Sequence, residues 1–258
     1  MCLILVVWRQ HARYPVFIAA NRDEYHDRAS APAAWWSDEP NILAGRDLAA
    51  GGSWLGVTRT GRFAALTNFR DPTRVRKEAP SRGNLVTGLL RSTEPVAASL
   101  SRLRRIGGDY NGFNVIFSDG KTLGIYESVP GEGRELAPGV YGLSNHLLDT
   151  PWPKVANAKS QLLSAIDAGR DQSAALDLLR DSRPAPHHEL PSTGVSAEWE
   201  SLLSSAFIKA PQYGTRCSTI VRIDAEARAF FDEWSWDAAG NQAHRVSMDF
   251  AVNASVRS

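Results

Sequence analysis

Cysteine is scarce in this 258-residue chain, and long apolar runs are missing. The two cysteines, Cys2 and Cys217, are too few for a disulfide framework and do not have the spacing of metal ligands. No segment approaches the roughly 18–20 apolar residues that a transmembrane helix needs. We therefore expect a cytoplasmic protein of a reducing compartment, not embedded in a membrane, with a single disulfide as the open alternative.

An excess of charge of either sign is also missing, since 29 Lys and Arg stand against 28 Asp and Glu. The composition therefore gives no indication of a nucleic-acid partner, which normally requires a basic surface. The six histidines form no metal-binding set, and the chain contains neither a phosphate-binding glycine motif nor a Gly-x-Ser-x-Gly elbow. We predict that no metal or other cofactor takes part in catalysis.

What the chain does have is a cysteine directly after Met1, followed by an apolar run to Trp8 that is typical of a buried strand. Methionine aminopeptidases generally remove Met before a small residue. Cys2 would then carry both a thiol and a free α-amine, whose reference pKa of about 7.7–8.0 makes it a usable base. The alternative is a small buried cysteine at a strand start, which position alone favours.

The remaining pattern alternates groups of strands with groups of helices. Strands are predicted at 15–20, 53–58, 62–69, 113–118, 122–127, 140–143, 216–224, 227–234 and 243–250, and helices at 82–91, 95–107, 151–168, 174–180 and 197–207. The segment 25–52 is interpreted as loop-rich. Because short turns join consecutive strands, the sheets should be mainly antiparallel. We predict one α+β domain over residues 1–258 with two layers of sheet.

Polar side chains stand where several predicted strands end. The tetrapeptide Asn21–Glu24 follows the second strand, and a hairpin would bring it close to Cys2. Arg22 and Asp23 have the chemistry to support a thiolate and an amine, but neighbouring strand residues point to opposite faces. Asn68 and Asn145 each follow an apolar strand, and Arg216 precedes one. The alternatives are solvated turns, an Asx turn and an ordinary surface arginine.

Taken together, these motifs resemble the NRDE family, also called the transport and Golgi organization protein family. The matching segments are Met1-Cys2, Ala20-Asn21-Arg22-Asp23-Glu24, Gly51-Gly52-Ser53-Trp54-Leu55-Gly56, Ala65-Leu66-Thr67-Asn68-Phe69-Arg70, Tyr141-Gly142-Leu143-Ser144-Asn145, Pro151-Trp152-Pro153-Lys154 and Tyr213-Gly214-Thr215-Arg216-Cys217-Ser218-Thr219. The family in turn looks like the N-terminal nucleophile hydrolases. The resemblance therefore implies a four-layer αββα sandwich.

The same resemblance implies roles for individual residues, taken from cysteine amidases such as choloylglycine hydrolase and penicillin V acylase. It puts the nucleophile at Cys2, an amine-orienting carboxylate at Asp23, oxyanion or substrate amides at Asn68 and Asn145, and a thiolate-supporting cation at Arg216. Those amidases carry an arginine three residues before the aspartate. Here that position is Ala20, and the arginine is adjacent at position 22.

Two functions follow as expectations. The first is a cysteine hydrolase of a non-peptide amide or related acyl bond, with substrate contacts expected at Asn21, Arg22, Asn68, Trp35 and Trp36. The second is a carrier without turnover, since members of the resembling family are linked to haem trafficking and to lipid or acyl-coenzyme A metabolism. Trp35, Trp36 and Arg22 would then contribute to binding haem, as a transient ligand, or a lipid-like molecule. Cys2 would be either a soft ligand or a remnant without a role. The sequence leaves open whether the protein is an enzyme.

Overall fold

Two antiparallel sheets dominate the structure, a computed structural model that describes residues 2–253. The six-stranded sheet has the spatial order β10 (Gly139–Leu143), β1 (Cys2–Trp8), β2 (Val16–Tyr25), β11 (Tyr213–Ile223), β12 (Arg228–Trp236) and β13 (Gln242–Ala251). The seven-stranded sheet follows chain order: β3 (Ser30–Trp35), β4 (Ile42–Asp47), β5 (Leu55–Thr58), β6 (Phe63–Asn68), β7 (Phe113–Ser118), β8 (Leu123–Glu127) and β9 (Glu132–Leu136). Every strand pair described is antiparallel, as predicted.

Helices cover the outer face of each sheet. The helices are α1 (Gly83–Arg91), α2 (Val96–Ile106), α3 (Pro153–Asp167), α4 (Asp171–Leu179) and α5 (Ala197–Leu202). One apolar core lies between α1, α2 and the seven-stranded sheet, and a second lies between α3, α4 and the six-stranded sheet. A third core fills the space between the sheets. The order helix, sheet, sheet, helix is the four-layer αββα sandwich that the resemblance implied.

The first strand shows how the sequence produces these layers. Leu3, Leu5 and Val7 belong to the core beneath α3 and α4, whereas Ile4 and Val6 belong to the core between the sheets. Alternate residues of a strand point to opposite faces, so an unbroken apolar run is what a strand covered on both sides requires. Fully burying each of these side chains contributes roughly 1.5–3 kcal/mol. This double burial fixes which way Cys2 points.

Three strand predictions were incomplete. The segment 25–52 was interpreted as loop-rich but contains β3 and β4, and β9 was not predicted. β2 also continues past Ala20 to Tyr25. Asn21, Arg22 and Asp23 are polar and yet buried strand residues, a combination that hydrophobic patterning cannot detect.

None of the helices within residues 2–253 is long and apolar enough to cross a membrane.

Candidate functional site

Cys2 begins β1 at one end of the sandwich. Its side chain is partly exposed and shares the inter-sheet face of the strand with Ile4. The Cys2 backbone N–H donates to Asn145 Oδ1 at 3.2 Å, and Ser144 Oγ donates to the Cys2 carbonyl at 2.9 Å. The thiol borders a cavity of about 310 Å³. The strand start is thus held in place by residues that follow β10.

Arg22 is the cation beside the thiol. It lies directly opposite Cys2 in the β1–β2 register, so both side chains share one face. The guanidinium stacks over Trp54 at 4.4 Å, and Nη2 lies 3.4 Å from Asp47 Oδ2. Arg22 is only 5% exposed, and its Nη1 has no hydrogen-bond partner among residues 2–253. A buried guanidinium beside the thiol can stabilise a nearby anion.

Asp23 points to the opposite face of β2, toward the helices. Its Oδ1 accepts a hydrogen bond of 2.6 Å from Thr215 Oγ1, and it is 3% exposed. Burial raises the pKa of this carboxyl group, while the charges of Lys154 and Arg22 and the bond from Thr215 oppose the rise. Asp23 borders the same cavity as Cys2. The structure therefore brings both Arg22 and Asp23 to Cys2 even though the strand separates their faces.

Burial also raises the pKa of the Cys2 thiol, and the negative charge of Asp23 adds to the effect. The backbone N–H of Asp23 and the charge of Arg22 act in the opposite direction. Because the net direction is upward, the resting thiol is protonated at neutral pH. A reaction at this sulfur needs a base to accept its proton.

Asn68 and Asn145 meet at this site. Asn145 Nδ2 donates to the Asn68 carbonyl at 2.7 Å, and the Arg70 N–H donates to the Asn145 carbonyl at 2.8 Å. Because Asn145 uses its amide nitrogen on Asn68 and its side-chain oxygen on Cys2, its geometry is that of an anchor for the Cys2 nitrogen. Its expected role as an oxyanion donor does not match this geometry. The Asn68 side chain lines the cavity.

Arg216, the expected thiolate-supporting cation, does not line the cavity. The pairing of β11 with β2 shifts register between Thr215 and Cys217, so Arg216 is the extra residue of a bulge. Its Nη1 donates to the carbonyls of Tyr25 and Arg28 at 2.7 and 3.1 Å. The bulge re-aims this side chain, and Arg22 occupies the position beside the thiol.

Three expected substrate contacts lie elsewhere. Asn21 faces α4, where its Nδ2 donates to the carbonyls of Leu179 and Ala206 at 2.7 Å each. Trp35 packs edge-on against Phe250. Trp36 is buried in the core under α1 and α2, and its Nε1 donates to Ala44 at 2.9 Å. None of Asn21, Trp35 and Trp36 lines the cavity, because each belongs to a packed layer away from Cys2.

The two cysteines are both free. Arg22 pairs with Cys2 on one side and with Cys217 on the other, so two strand spacings of about 4.8 Å separate the Cα atoms of the two cysteines. A disulfide requires Cα atoms within roughly 7 Å. The disulfide that the composition left open is therefore excluded by this geometry.

Several residues of the site were not singled out from the sequence. Trp54, Thr215 and Lys154 stood inside recognised motifs without an assigned role, and Asp47 and Arg82 carried no distinguishing signal. Lys154 lies in the first turn of α3, is buried, and donates from Nζ to the Leu203 carbonyl at 2.9 Å. Burial lowers the pKa of Lys154 to about 8. The sequence feature that marks the position of Trp54 is the pair of glycines before it.

The part of the chain that the structure describes contains no group of three or more His, Cys, Asp or Glu side chains that could hold a metal ion. The chemistry available at the cavity is that of a thiol, a buried carboxyl group, amides and guanidinium groups. That set suits nucleophilic attack on a carbonyl carbon.

Comparison with known proteins gives one family. A family model described as Transport and Golgi organisation 2 matches residues 1–238. The Transport and Golgi organization protein 2 homolog of Bos taurus is 35% identical over 241 residues, covering 86% of this chain and 87% of the relative. Transport and Golgi organization protein 2 of Drosophila melanogaster is 27% identical over 249 residues, with 87% of each chain covered.

A solved structure also shares the fold. The crystal structure of a mutant conjugated bile acid hydrolase from Clostridium perfringens aligns with a TM-score of 0.50, covering 96% of this chain and 92% of that chain. The sequence identity is 9%. Similarity at this level concerns the fold alone, and it agrees with the order of layers described above.

Proposed function

The chain belongs to the Transport and Golgi organisation 2 family, and from the contacts around Cys2 we propose that it is an N-terminal nucleophile hydrolase. The proposed substrate is a small molecule with a non-peptide amide or related acyl bond. Cys2 is the nucleophile once Met1 has been removed. Met1 itself lies outside the described residues.

The observation that carries the proposal is the hydrogen bond from the Cys2 nitrogen to Asn145 Oδ1 at 3.2 Å. In the processed protein this nitrogen is the α-amine. An amine that donates one N–H to Asn145 keeps a defined orientation, so its lone pair can be directed at the thiol of the same residue. Asp23 adds a buried carboxylate that favours the charged amine.

The reaction follows from these positions. The thiol proton passes to the α-amine, and the sulfur bonds to the carbonyl carbon of the substrate. The side-chain amide of Asn68 stabilises the oxyanion. The ammonium returns its proton to the leaving nitrogen as the C–N bond breaks, which leaves an S-acyl enzyme. Water, deprotonated by the same amine, then hydrolyses the thioester and restores the thiol.

Arg22 has a separate part in this scheme. Its charge favours the thiolate that forms as the proton leaves. It thereby takes the place that the resemblance gave to Arg216. The reaction needs no metal or other cofactor.

The test is an assay of the processed protein against a panel of N-acyl amides, with the intact mass measured first to establish that Met1 is absent. A conjugated bile acid belongs in the panel because the protein of similar fold is a hydrolase of that name. We expect hydrolysis by the wild type and a loss of on the order of 10³-fold or more in Cys2→Ala. A covalent acyl adduct on Cys2 should be detectable by mass spectrometry.

Cys217→Ala is the matched control, because Cys217 is buried outside the cavity and should leave turnover unchanged. Retained hydrolysis in Cys2→Ala would overturn the proposal. So would haem or lipid binding that is insensitive to Cys2→Ala and Cys2→Ser, with no amide in the panel hydrolysed. That second result would favour the carrier function.

A further inference from the structure

Lys154 is a buried cation that the proposed reaction does not use. It lies in the first turn of α3, directly after Pro153, and is 6% exposed. Its ammonium donates to the Leu203 carbonyl at 2.9 Å in a buried setting. Burying an ammonium group is expensive unless an opposite charge compensates for it. The position therefore calls for a partner charge.

That charge is Asp23, which is connected to Lys154 through the segment 203–208. The segment 203–208 contacts both groups. At one end, the Leu203 carbonyl accepts the bond from Lys154, and at the other, the Ile208 N–H donates to Thr215 Oγ1 at 2.9 Å. Thr215 in turn donates to Asp23 Oδ1 at 2.6 Å. Lys154 and Asp23 are thus opposite charges in one buried cluster on the helix side of the six-stranded sheet. The charge of Lys154 lowers the pKa of Asp23, and the charge of Asp23 raises the pKa of Lys154, so each favours the charged form of the other.

Other charged groups face this pair. From β2, Arg22 lowers the pKa of Asp23, and from β1 a Cys2 thiolate would raise the pKa of Lys154. After β6, Arg70 repels the Lys154 ammonium and lowers its pKa, but Arg70 is itself paired with Glu200 of α5.

On its outer side, Lys154 borders a second cavity whose charged lining residues are Asp181, Arg183 and Glu189. Asp181 and Arg183 pair with one another at 2.6 Å, and Arg183 and Glu189 are exposed, so water screens them. Asp23 is the buried carboxyl group left to balance Lys154.

We propose that Lys154 is a positioning residue for Asp23, the buried counter-charge that keeps this carboxylate ionised so that it can hold the Cys2 α-amine. This inference rests on the proposed function for its consequence, because only an N-terminal nucleophile needs its amine held. A neutral Asp23 would accept fewer hydrogen bonds from the amine and would no longer favour its charged form. Lys154 therefore acts on the reaction through Asp23 and does not touch the substrate.

The test is the titration of Asp23 in Lys154→Met, followed by NMR of protein labelled with ¹³C at aspartate carboxyl groups. Asp23→Asn identifies the resonance. Without the ammonium, the carboxyl group should bind its proton more tightly, so the titration midpoint should shift to higher pH than in the wild type. In the amidase assay, the acid limb of the pH–rate profile should move in the same direction, and Lys154→Arg should restore both.

Lys159→Met is the matched control. Lys159 lies on the same helix, but its ammonium is 2.6 Å from Asp149 in a partly exposed pair, so the Asp23 midpoint should not change. An unchanged midpoint in folded Lys154→Met would overturn the inference. Equal shifts in Lys154→Arg and Lys154→Met would do the same.

If Lys154→Met does not fold, Asp23→Asn supplies the reciprocal measurement. Loss of the carboxylate should lower the pKa of Lys154 below its value of about 8, and an unchanged lysine titration would contradict the coupling. The two proposals fail separately. A shifted Asp23 midpoint in a protein that hydrolyses nothing would reject the hydrolase while leaving the charge coupling in place.

Discussion

At the scale of single residues, the Cys2 thiol is subject to opposing influences. Burial favours the neutral thiol, and the Arg22 guanidinium across the strand pair favours the thiolate. Arg22 is itself kept in place by the Trp54 ring and by Asp47. The pKa of this sulfur therefore depends first on its own burial and also on a side chain in the neighbouring strand.

Arg22→Leu should make the thiol less reactive. Removing the cation raises the thiol pKa, so less thiolate is present, and alkylation of Cys2 by iodoacetamide at neutral pH should slow roughly tenfold. Asp47 keeps its 2.6 Å contact with Arg28, so the variant is expected to fold.

Arg46→Leu is a matched control. Arg46 also stacks on a tryptophan, Trp36 at 4.3 Å, and also pairs with a carboxylate, Asp38 at 2.7 Å, but it does not line the cavity. Alkylation rates that are the same in Arg22→Leu and the wild type would exclude Arg22 as the thiolate-supporting group.

At the scale of elements, the geometry of the last part of β2 explains how the neighbouring residues Arg22 and Asp23 both lie near Cys2. Arg22 extends into the space between the sheets, where the Cys2 side chain lies, and Asp23 extends toward α3. Cys2 is the first residue of β1, so its thiol and its nitrogen face different layers. The pleat that separates Arg22 from Asp23 therefore puts Arg22 on the face of the Cys2 side chain and Asp23 on the opposite face.

Gly52 connects a second element to this site. A Cβ at this position would lie 2.5 Å from the backbone of Gly83, the first residue of α1. Because backbone cannot move aside as a flexible side chain can, Gly52→Ala must separate the segment before Trp54 from the start of α1. We expect a loss of about 1–3 kcal/mol in the free energy of unfolding, measured by urea denaturation.

Gly108→Ala provides the comparison, since a Cβ there meets nothing within 4 Å. Its stability should stay within about 0.5 kcal/mol of the wild type. Equal stability of Gly52→Ala and Gly108→Ala would show that the close approach of Gly52 and Gly83 imposes no constraint.

At the scale of the whole molecule, a buried glutamate links the two sheets. Glu233 of β12 accepts the backbone N–H of Ala33 in β3 at 2.7 Å and the Thr219 hydroxyl at 3.2 Å. Burial raises the pKa of Glu233. Its folded-state pKa therefore lies above the unfolded value. The stability it contributes is fully present below the unfolded pKa and is lost as pH rises through the folded pKa.

Glu233→Gln should remove this pH dependence. Its side-chain oxygen can still accept from Ala33, and its amide can donate to Thr219, so the sheets stay linked without a buried charge. We expect the variant to gain stability relative to the wild type as pH rises from about 4.5 to 8, in urea denaturation across that range.

Glu226→Gln is the control, because Glu226 is exposed in the turn between β11 and β12. It should show no such trend. A stability difference between Glu233→Gln and the wild type that is constant with pH would mean that Glu233 is ionised to the same extent in the folded and unfolded protein.

The sequence by itself determined the layers of the fold and the group of residues around Cys2. The apolar run 3–8 indicated a strand covered on both faces, and the family resemblance of the motifs implied the four-layer sandwich. The same motifs placed Cys2, Asp23, Asn68 and Asn145 at strand ends that the structure brings together. These features depend on the local residue pattern and on the order of the elements, and both can be read from a single amino-acid sequence.

Only the tertiary structure decided which cation faces the thiol and what surrounds Asp23. The choice of Arg22 over Arg216 depends on the bulge in β11, and the contact of Lys154 with residue 203 joins segments far apart in the chain. The packing of Trp35 and Trp36 away from the cavity likewise depends on β3 and β4, which were not predicted. Strand register and the packing of layers are set by contacts between distant segments, and a pattern of neighbouring residues does not contain them.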